Sequence, residues 1–422
     1  MSSLRADGPV GLAIVGAGTR GAEAYGRFAL DHPAQARVVA VAEPDVTRRQ
    51  RFAADHRLPP EQTFADWREL LEAGRLADAL VVATPDLLHT TPTLTALRLH
   101  YDILVEKPIT PTEDELEQVA RAAAVSQGTI TVAHVLRYAP FFARIRGLLD
   151  EGRIGRLIAI SHHENVGYWH FAHSYVRGKW RRSDAASPML LAKACHDLDL
   201  LRWFAGAPCS SVSSVGGLHH FRPDNAPIDA PPRCTDGCPV ADACPFYAPR
   251  FYIEQLAGVT GWPVSAITDD PSPEGRLLAL REGPYGRCVY RCDNDVADHQ
   301  AVLLQFANGV TATLTVSAFT ADNTRTVKLM GTRGELRGRL DSGEIELRTF
   351  QPPAAEQLGV GGRAGHSGGD EALMAAFCDY VRRRRAGETI ASVTSLEASL
   401  ESHRIAFAAE RARERGSVVR LD

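Results

Sequence analysis

The chain begins with short, unbroken apolar runs and changes, after about residue 156, to longer segments in which apolar and polar positions alternate. VGLAIVG at 10–16, RVVAVAE at 37–43, ALVVA at 79–83, DILVE at 102–106 and TITVA at 129–133 are of the first kind. Runs of this sort suit strands buried on both faces. Segments with helical spacing separate them, at 22–32, up to Ala73, at 90–99 and at 112–126. Strand and helix in alternation predict an α/β fold whose first part, residues 1–135, is a doubly wound parallel sheet.

The second part, 136–422, reads differently. LIAISHHENV, SSVSSVGGLHHF, HQAVLLQFANGVTATLTVSAF, TRTVKLMG and GEIELRTF predict a large, mostly antiparallel open sheet in a second α/β domain. Residues 222–295, rich in proline and cysteine and without periodicity, read as an insertion. Helices expected over 368–386 and 395–413 close the chain.

A length of 422 residues, 45% of them hydrophobic, fits two domains of unequal kind. The net charge of −4 gives no reason to expect nucleic acid or an anionic membrane as partner, so a small molecule is the expected ligand. No apolar stretch approaches the roughly 18 residues of a membrane span, and MSSLRADGP lacks the apolar core of a signal peptide. A cytoplasmic location is the expectation.

GAGTRG sets Gly16, Gly18 and Gly21 between the first strand and the following helix, where a backbone can approach a pyrophosphate. Thr19 and Arg20 belong to the same loop. Alone the pattern is also that of a glycine-rich turn. Glu43, closing the second strand, adds a carboxylate that can accept from ribose hydroxyls and would repel a 2′-phosphate. That favours NAD over NADP, although Arg48 and Arg49 stand close by. Thr84, Pro85 and His89 follow the next strand at the edge where open α/β sheets bind ligands, and His89 could equally cap or pack.

Glu106 and Lys107 follow the strand at 102–106 on that same edge, near where a nicotinamide ring would project, and both are candidate cofactor contacts. A lysine there is either a group for proton transfer and carbonyl polarisation or half of a surface salt bridge with Glu106. In AKACHDLDLLRWFAG, at 192–206, Lys193, His196 and Asp199 form a polar line beside an apolar stripe of Leu191, Ala194, Leu198, Leu201 and Ala205. By pattern alone this is an amphipathic helix with a solvated face. The preceding HHENVGYWHFAHSYVRGKWR carries Tyr168, His170, His173, Arg177 and Trp180, residue types that stack on sugar rings and bind hydroxyls, or that simply pack. His366, in GHSGGD, could reach the same cleft.

Five of the eight cysteines lie between 234 and 292. Cys234, Cys238 and Cys244 with Cys292 could hold a structural zinc, an iron–sulfur cluster could use the same thiolates, and disulfides or free thiols are the alternative.

GAGTRG, ATPDLLH, EKP, LRYAP, GRIG, GKWR and HDLDLLRW, in this order, resemble the Gfo/Idh/MocA oxidoreductases over nearly the whole chain outside the insertion. The resemblance implies a Rossmann domain, a C-terminal α/β domain whose open sheet makes homodimers or homotetramers, and NAD(P)-dependent chemistry on a secondary hydroxyl of a sugar or cyclitol. It implies that Lys107 and His196 are catalytic; Lys193 is a third catalytic candidate, able to bind a substrate hydroxyl or anion or to replace the missing aspartate electrostatically, and Asp197 is a candidate substrate contact. Many members carry an aspartate four residues before the histidine, where this chain has Ala192. Some relatives cleave glycosides by transient oxidation, elimination and re-reduction, which is the alternative activity.

Overall fold

The computed structural model describes residues 8–361 and 368–421, so His366 lies outside the described residues. Strands β1 (Val10–Val15), β2 (Ala36–Ala42), β3 (Thr63–Phe64), β4 (Ala79–Val82), β5 (Asp102–Val105) and β6 (Thr129–Val132) form one parallel sheet in the order β3-β2-β1-β4-β5-β6. The apolar run of β1 has a direct cause. Leu12 and Ile14 enter one core cluster and Ala13 and Val15 another on the opposite face, and each is at most 1% exposed. Fully burying an aliphatic side chain of this size contributes about 1.5–3 kcal/mol, so neither face tolerates a polar residue.

The second sheet is built from β7 (Leu157–Val166), β8 (Cys209–Gly217), β9 (His299–Phe306), β10 (Thr311–Ser317), β11 (Asn323–Gly331), β12 (Gly334–Arg339), β13 (Glu344–Phe350), β14 (Pro353–Gln357) and β15 (Val419–Arg420). Its order is β14-β13-β12-β11-β7-β10-β9-β8-β15, antiparallel except where β7 runs parallel to β10. Along β9 exposed and buried residues alternate without exception, as a strand covered on one face requires. The long helices Met189–Ala205 and Leu396–Arg415 pack together on the covered side.

The insertion is more ordered than its lack of periodicity predicts, because it contains the helix Pro273–Glu282. This helix has no apolar stripe to read. Its anchor is Arg276, 3% exposed, whose guanidinium donates to the carbonyls of Pro271, Tyr252, Leu256 and Val259.

Helix Leu396–Arg415 also clamps the two sheets together. The Ile109 amide donates to Nε2 of the fully buried His403 at 2.9 Å, and Nδ1 of the same ring faces the Ser399 carbonyl at 3.2 Å. A ring that accepts at one nitrogen must be neutral. Burial, with His134 adding to it, pushes its pKa down to about 3. The unfolded chain takes up this proton near pH 6.5 and the folded one does not until about pH 3, so stability falls as pH falls through that window. From pH 7 to pH 5 the loss from this residue is about 2 kcal/mol. His403→Gln, which keeps an acceptor for the Ile109 amide, should therefore show a smaller drop in urea midpoint between pH 7 and pH 5; an equal drop would sink the assignment.

Candidate active site

The loop after β1 turns at Gly16, whose φ is +93° and whose Cα is so close to β4 that an added Cβ would meet the Ala83 carbonyl oxygen at 2.7 Å. Gly21 is tighter still, since a Cβ there would fall 1.8 Å from the Gly16 carbonyl oxygen. Between them Gly18 has open space over its Cα and caps a wide-turned helix, Thr19–Gly26, whose first residue is exposed. The loop thus offers uncovered amides at a helix N-terminus, a cradle for a pyrophosphate.

Glu43, 3% exposed, accepts from the Ala17 amide of this loop at 2.8 Å and from the Arg48 guanidinium at 2.8 Å. The nearby cation is therefore the carboxylate's own partner. Arg20 and Glu106 depart from the cofactor-binding expectation for their side chains. Arg20 turns inward to Glu106, Tyr25 and Asp370, and Tyr25 also donates to Glu106. Burial would raise the Glu106 pKa, but Arg20 and Tyr25 outweigh it and hold the carboxyl below its usual range. His89 is likewise a brace, with its ring nitrogens 2.6 Å from the Pro108 carbonyl and 2.8 Å from the Thr84 carbonyl. It ties together the turns after β4 and β5, leaving Thr84 and exposed Pro85 at the sheet edge.

Lys107 does not pair with Glu106 through its ammonium. Its Nζ donates to the carbonyl of Ala192 at 2.7 Å, one turn before His196 on helix Met189–Ala205. The backbone oxygen of residue 192 thus meets the lysine at the position where the related pattern has an aspartate. The expected solvated face of this helix is interior: His196 is 4% exposed, Asp199 1% and Asp197 0%. The His134 ring stands 5.6 Å from that of His196, and Asp199 is held by Arg137 at 2.6 and 2.7 Å.

Asp197 is fully buried and turned to countercharges away from any open cleft. His162 lies 2.7 Å away, and Arg325 donates to the two oxygens at 2.7 and 3.1 Å. Arg325 also pairs with Glu164 at 2.6 Å, and Glu164 with Lys193 at 3.3 Å. The result is a buried chain of alternating charge that ends at Lys193. Burial lowers the Lys193 pKa, and Glu164 restores it only in part. The sequence signal for this chain was present but unread: His162 and Glu164 occupy inward positions of β7 between Ile160 and Val166, where an apolar strand face was expected.

The aromatic wall divides. Half-buried Tyr168 rests on Phe246, with ring centroids 6.1 Å apart. His170 faces Asn323 at 3.0 Å and the ring of Trp262 at 5.0 Å, so the insertion adds to the wall an indole that sequence reasoning had passed over. Buried His173 faces the Tyr252 hydroxyl at 2.7 Å, and burial pushes it down to about 3, which leaves it neutral and structural. Trp180 donates to Asp86, beyond the end of β4, at 3.2 Å, with the Lys179 ammonium 4.3 Å from its ring centre. These contacts bring the second part of the chain over the carboxyl edge of the first sheet. Arg177 is a further correction: at 2% exposure it points away from the wall into the insertion.

The expected zinc set is corrected as well. Among the described residues no group of three His, Cys, Asp or Glu side chains could hold a metal ion, and all eight cysteines are unpaired. Cys292 is turned to its own loop, its thiol 3.3 Å from the Cys288 carbonyl. Among the same residues no helix is long and apolar enough to cross a membrane.

The chain is similar to known proteins. The chain is 25% identical over 336 residues to the putative oxidoreductase YteT of Bacillus subtilis, covering 75% of each chain. It is 28% identical over 201 residues to inositol 2-dehydrogenase of Corynebacterium glutamicum, a match over 47% of this chain and 55% of that protein. Its fold superimposes on that of levoglucosan dehydrogenase in complex with NADH and levoglucosan with a TM-score of 0.71 and 16% identity, over 98% of this chain and 99% of the other. Residues 10–134 match the model of the oxidoreductase family with an NAD-binding Rossmann fold, and residues 146–421 match its C-terminal α/β domain. With the phosphate cradle, the lysine at the sheet edge and the histidine helix in place, the chain belongs to the Gfo/Idh/MocA oxidoreductase family.

Proposed function

We propose that this NAD-dependent oxidoreductase oxidises a secondary hydroxyl of a sugar, a cyclitol or a derivative of one, with Lys107 and His196 as its catalytic residues. The observation that carries the reading is the 2.7 Å bond from Lys107 Nζ to the Ala192 carbonyl, which joins the strand-end lysine to the helix turn preceding His196. In this reading an ammonium and an imidazole serve one substrate oxygen at the carboxyl edge of the first sheet. His196 takes the hydroxyl proton as general base, and the Lys107 ammonium holds the same oxygen as negative charge develops on it. NAD, when bound, accepts the hydride. The glycine loop with Thr19 would hold its pyrophosphate, Glu43 its ribose, and Thr84 and Pro85 would lie beside it.

Lys193, His170, Tyr168 and Trp180 are assigned to the substrate side, where Lys193 can donate to a hydroxyl or to an anionic substituent. The names of relatives, inositol 2-dehydrogenase and levoglucosan dehydrogenase, support a cyclitol or sugar. A screen of both classes by NADH absorbance should find a substrate oxidised faster with NAD than with NADP. Aglycone release from aryl glycosides without net NADH would instead decide for redox-assisted cleavage.

A further inference from the structure

We infer that Cys234, Cys238, Cys244 and Cys288 ligate a structural iron–sulfur cluster of the four-iron type, with Cys288 in place of Cys292. These four cysteines line one small, largely apolar void, about 10 Å³ when counted as space open to the centre of a water-sized sphere. Two backbone bonds hold it in shape: the Cys234 amide donates to the Gly286 carbonyl and the Cys288 amide to the Pro232 carbonyl, each at 2.8 Å. They pin together two loops distant in sequence, so that cysteines from both line one void. Cysteine side chains gathered around an apolar space gain nothing from water, which needs two to four polar partners of its own.

A charge argument is independent of the cysteines. Arg177, 2% exposed, donates to Cys234 Sγ at 3.5 Å and to the carbonyls of Phe246 and Arg287, each at 2.8 Å. Among the described residues it has no carboxylate partner within ion-pair distance. A buried guanidinium surrounded only by neutral groups costs several kcal/mol, and the negative charge of a thiolate-bound cluster would compensate it.

The class of metal site follows from what a single ion requires. Zinc needs its sulfurs about 2.3 Å from one point, and among the described residues no group of three side chains could hold one ion. A four-iron cube binds each sulfur at a separate corner and so holds the four farther apart. Assembly is ligand exchange: each thiol loses its proton as its sulfur takes an iron, and the protein transfers no electron. The insertion has little else to fold it, since its own core cluster comprises Cys234, Ala248, Tyr252 and Leu280. Through Phe246, which packs on Tyr168, the cluster would fix the substrate wall from behind.

The test is metal analysis of the full chain, purified without oxygen from iron-replete cells and reconstituted with iron and sulfide. The expected result is roughly four irons and four acid-labile sulfides per chain, with visible absorption that dithionite bleaches. Cys238→Ser should lose most of that iron and Cys292→Ser should keep it. One zinc without sulfide, less than one iron after reconstitution, or iron lost equally in Cys292→Ser would each overturn the proposal. The wild-type stoichiometry decides it even where Cys238→Ser fails to fold.

Discussion

Lys107→Ala is expected to lower kcat by ~10³-fold while leaving NAD affinity within about threefold of the parent. The size follows from what the side chain is placed to do. Lys107 Nζ is held at the carboxyl edge of the first sheet by the Ala192 carbonyl, and in the proposed reaction it steadies an oxygen whose charge grows only in the transition state. Losing an interaction of that kind lowers kcat and kcat/KM together, without a compensating change in KM. Cofactor affinity should survive, because the glycine loop and Glu43 are held by contacts that do not involve the lysine amine. Steady-state kinetics on the substrate identified by the screen, together with NADH fluorescence titration, checks both halves. A fall in kcat of less than tenfold would remove Lys107 from the chemistry.

Arg325→Met is expected to destabilise the fold by about 3–5 kcal/mol at pH 7, the usual cost of breaking a buried ion pair from one side. Arg325 is 9% exposed and is the shared partner of Asp197 and Glu164, neither of which is more than 1% exposed. Burial pushes the Asp197 carboxyl up, and Arg325 with His162 outweighs it and holds the group well below the carboxylate range. Remove the guanidinium and two buried carboxylates remain, with His162 and Lys193 to share between them. In an Asp197→Asn, Glu164→Gln background the same substitution strands no carboxylate, so its cost should shrink to about 1–2 kcal/mol. Urea unfolding of the four proteins measures the difference. An equal cost in both backgrounds would mean that the arginine acts by packing and not by charge.

Much of the fold was legible locally. The runs at β1, β2, β4, β5 and β6 were readable because both faces of each strand are buried, and β7 and β9 because one face is. Four strands of the structure were not picked out. β3 and β15 span two residues each, and β12 and β14 carry too few apolar positions to stand out from a loop. The Cys-rich insertion was misjudged for a related reason: its helix is anchored by an arginine meeting carbonyls, a device with no apolar period.

The site divides along the same line. The glycine loop, Glu43, Lys107 and the histidine helix are each marked by a short motif whose geometry is local, a strand end followed by a turn or a helix face. What the polar groups on that helix do was not local. Lys193, His196 and Asp199 were read as a solvated face because residue type and spacing report only which side of a helix is less apolar. Whether that side meets water or countercharges depends on Arg137, in the turn after β6, and on His162 and Arg325 of the second sheet, which stand on other elements and reach the helix only in the folded chain. The same holds for the cysteines, where the spacing suggested Cys292 and the pairing of two distant loops brought Cys288 to the void. By itself the amino-acid order determined the elements, the parallel sheet and the cofactor loop, since those follow from nearest-neighbour periodicity and backbone sterics. Which buried charges neutralise one another was decided only by tertiary structure, because electrostatic partnership depends on distance in space and the chain carries no local record of it.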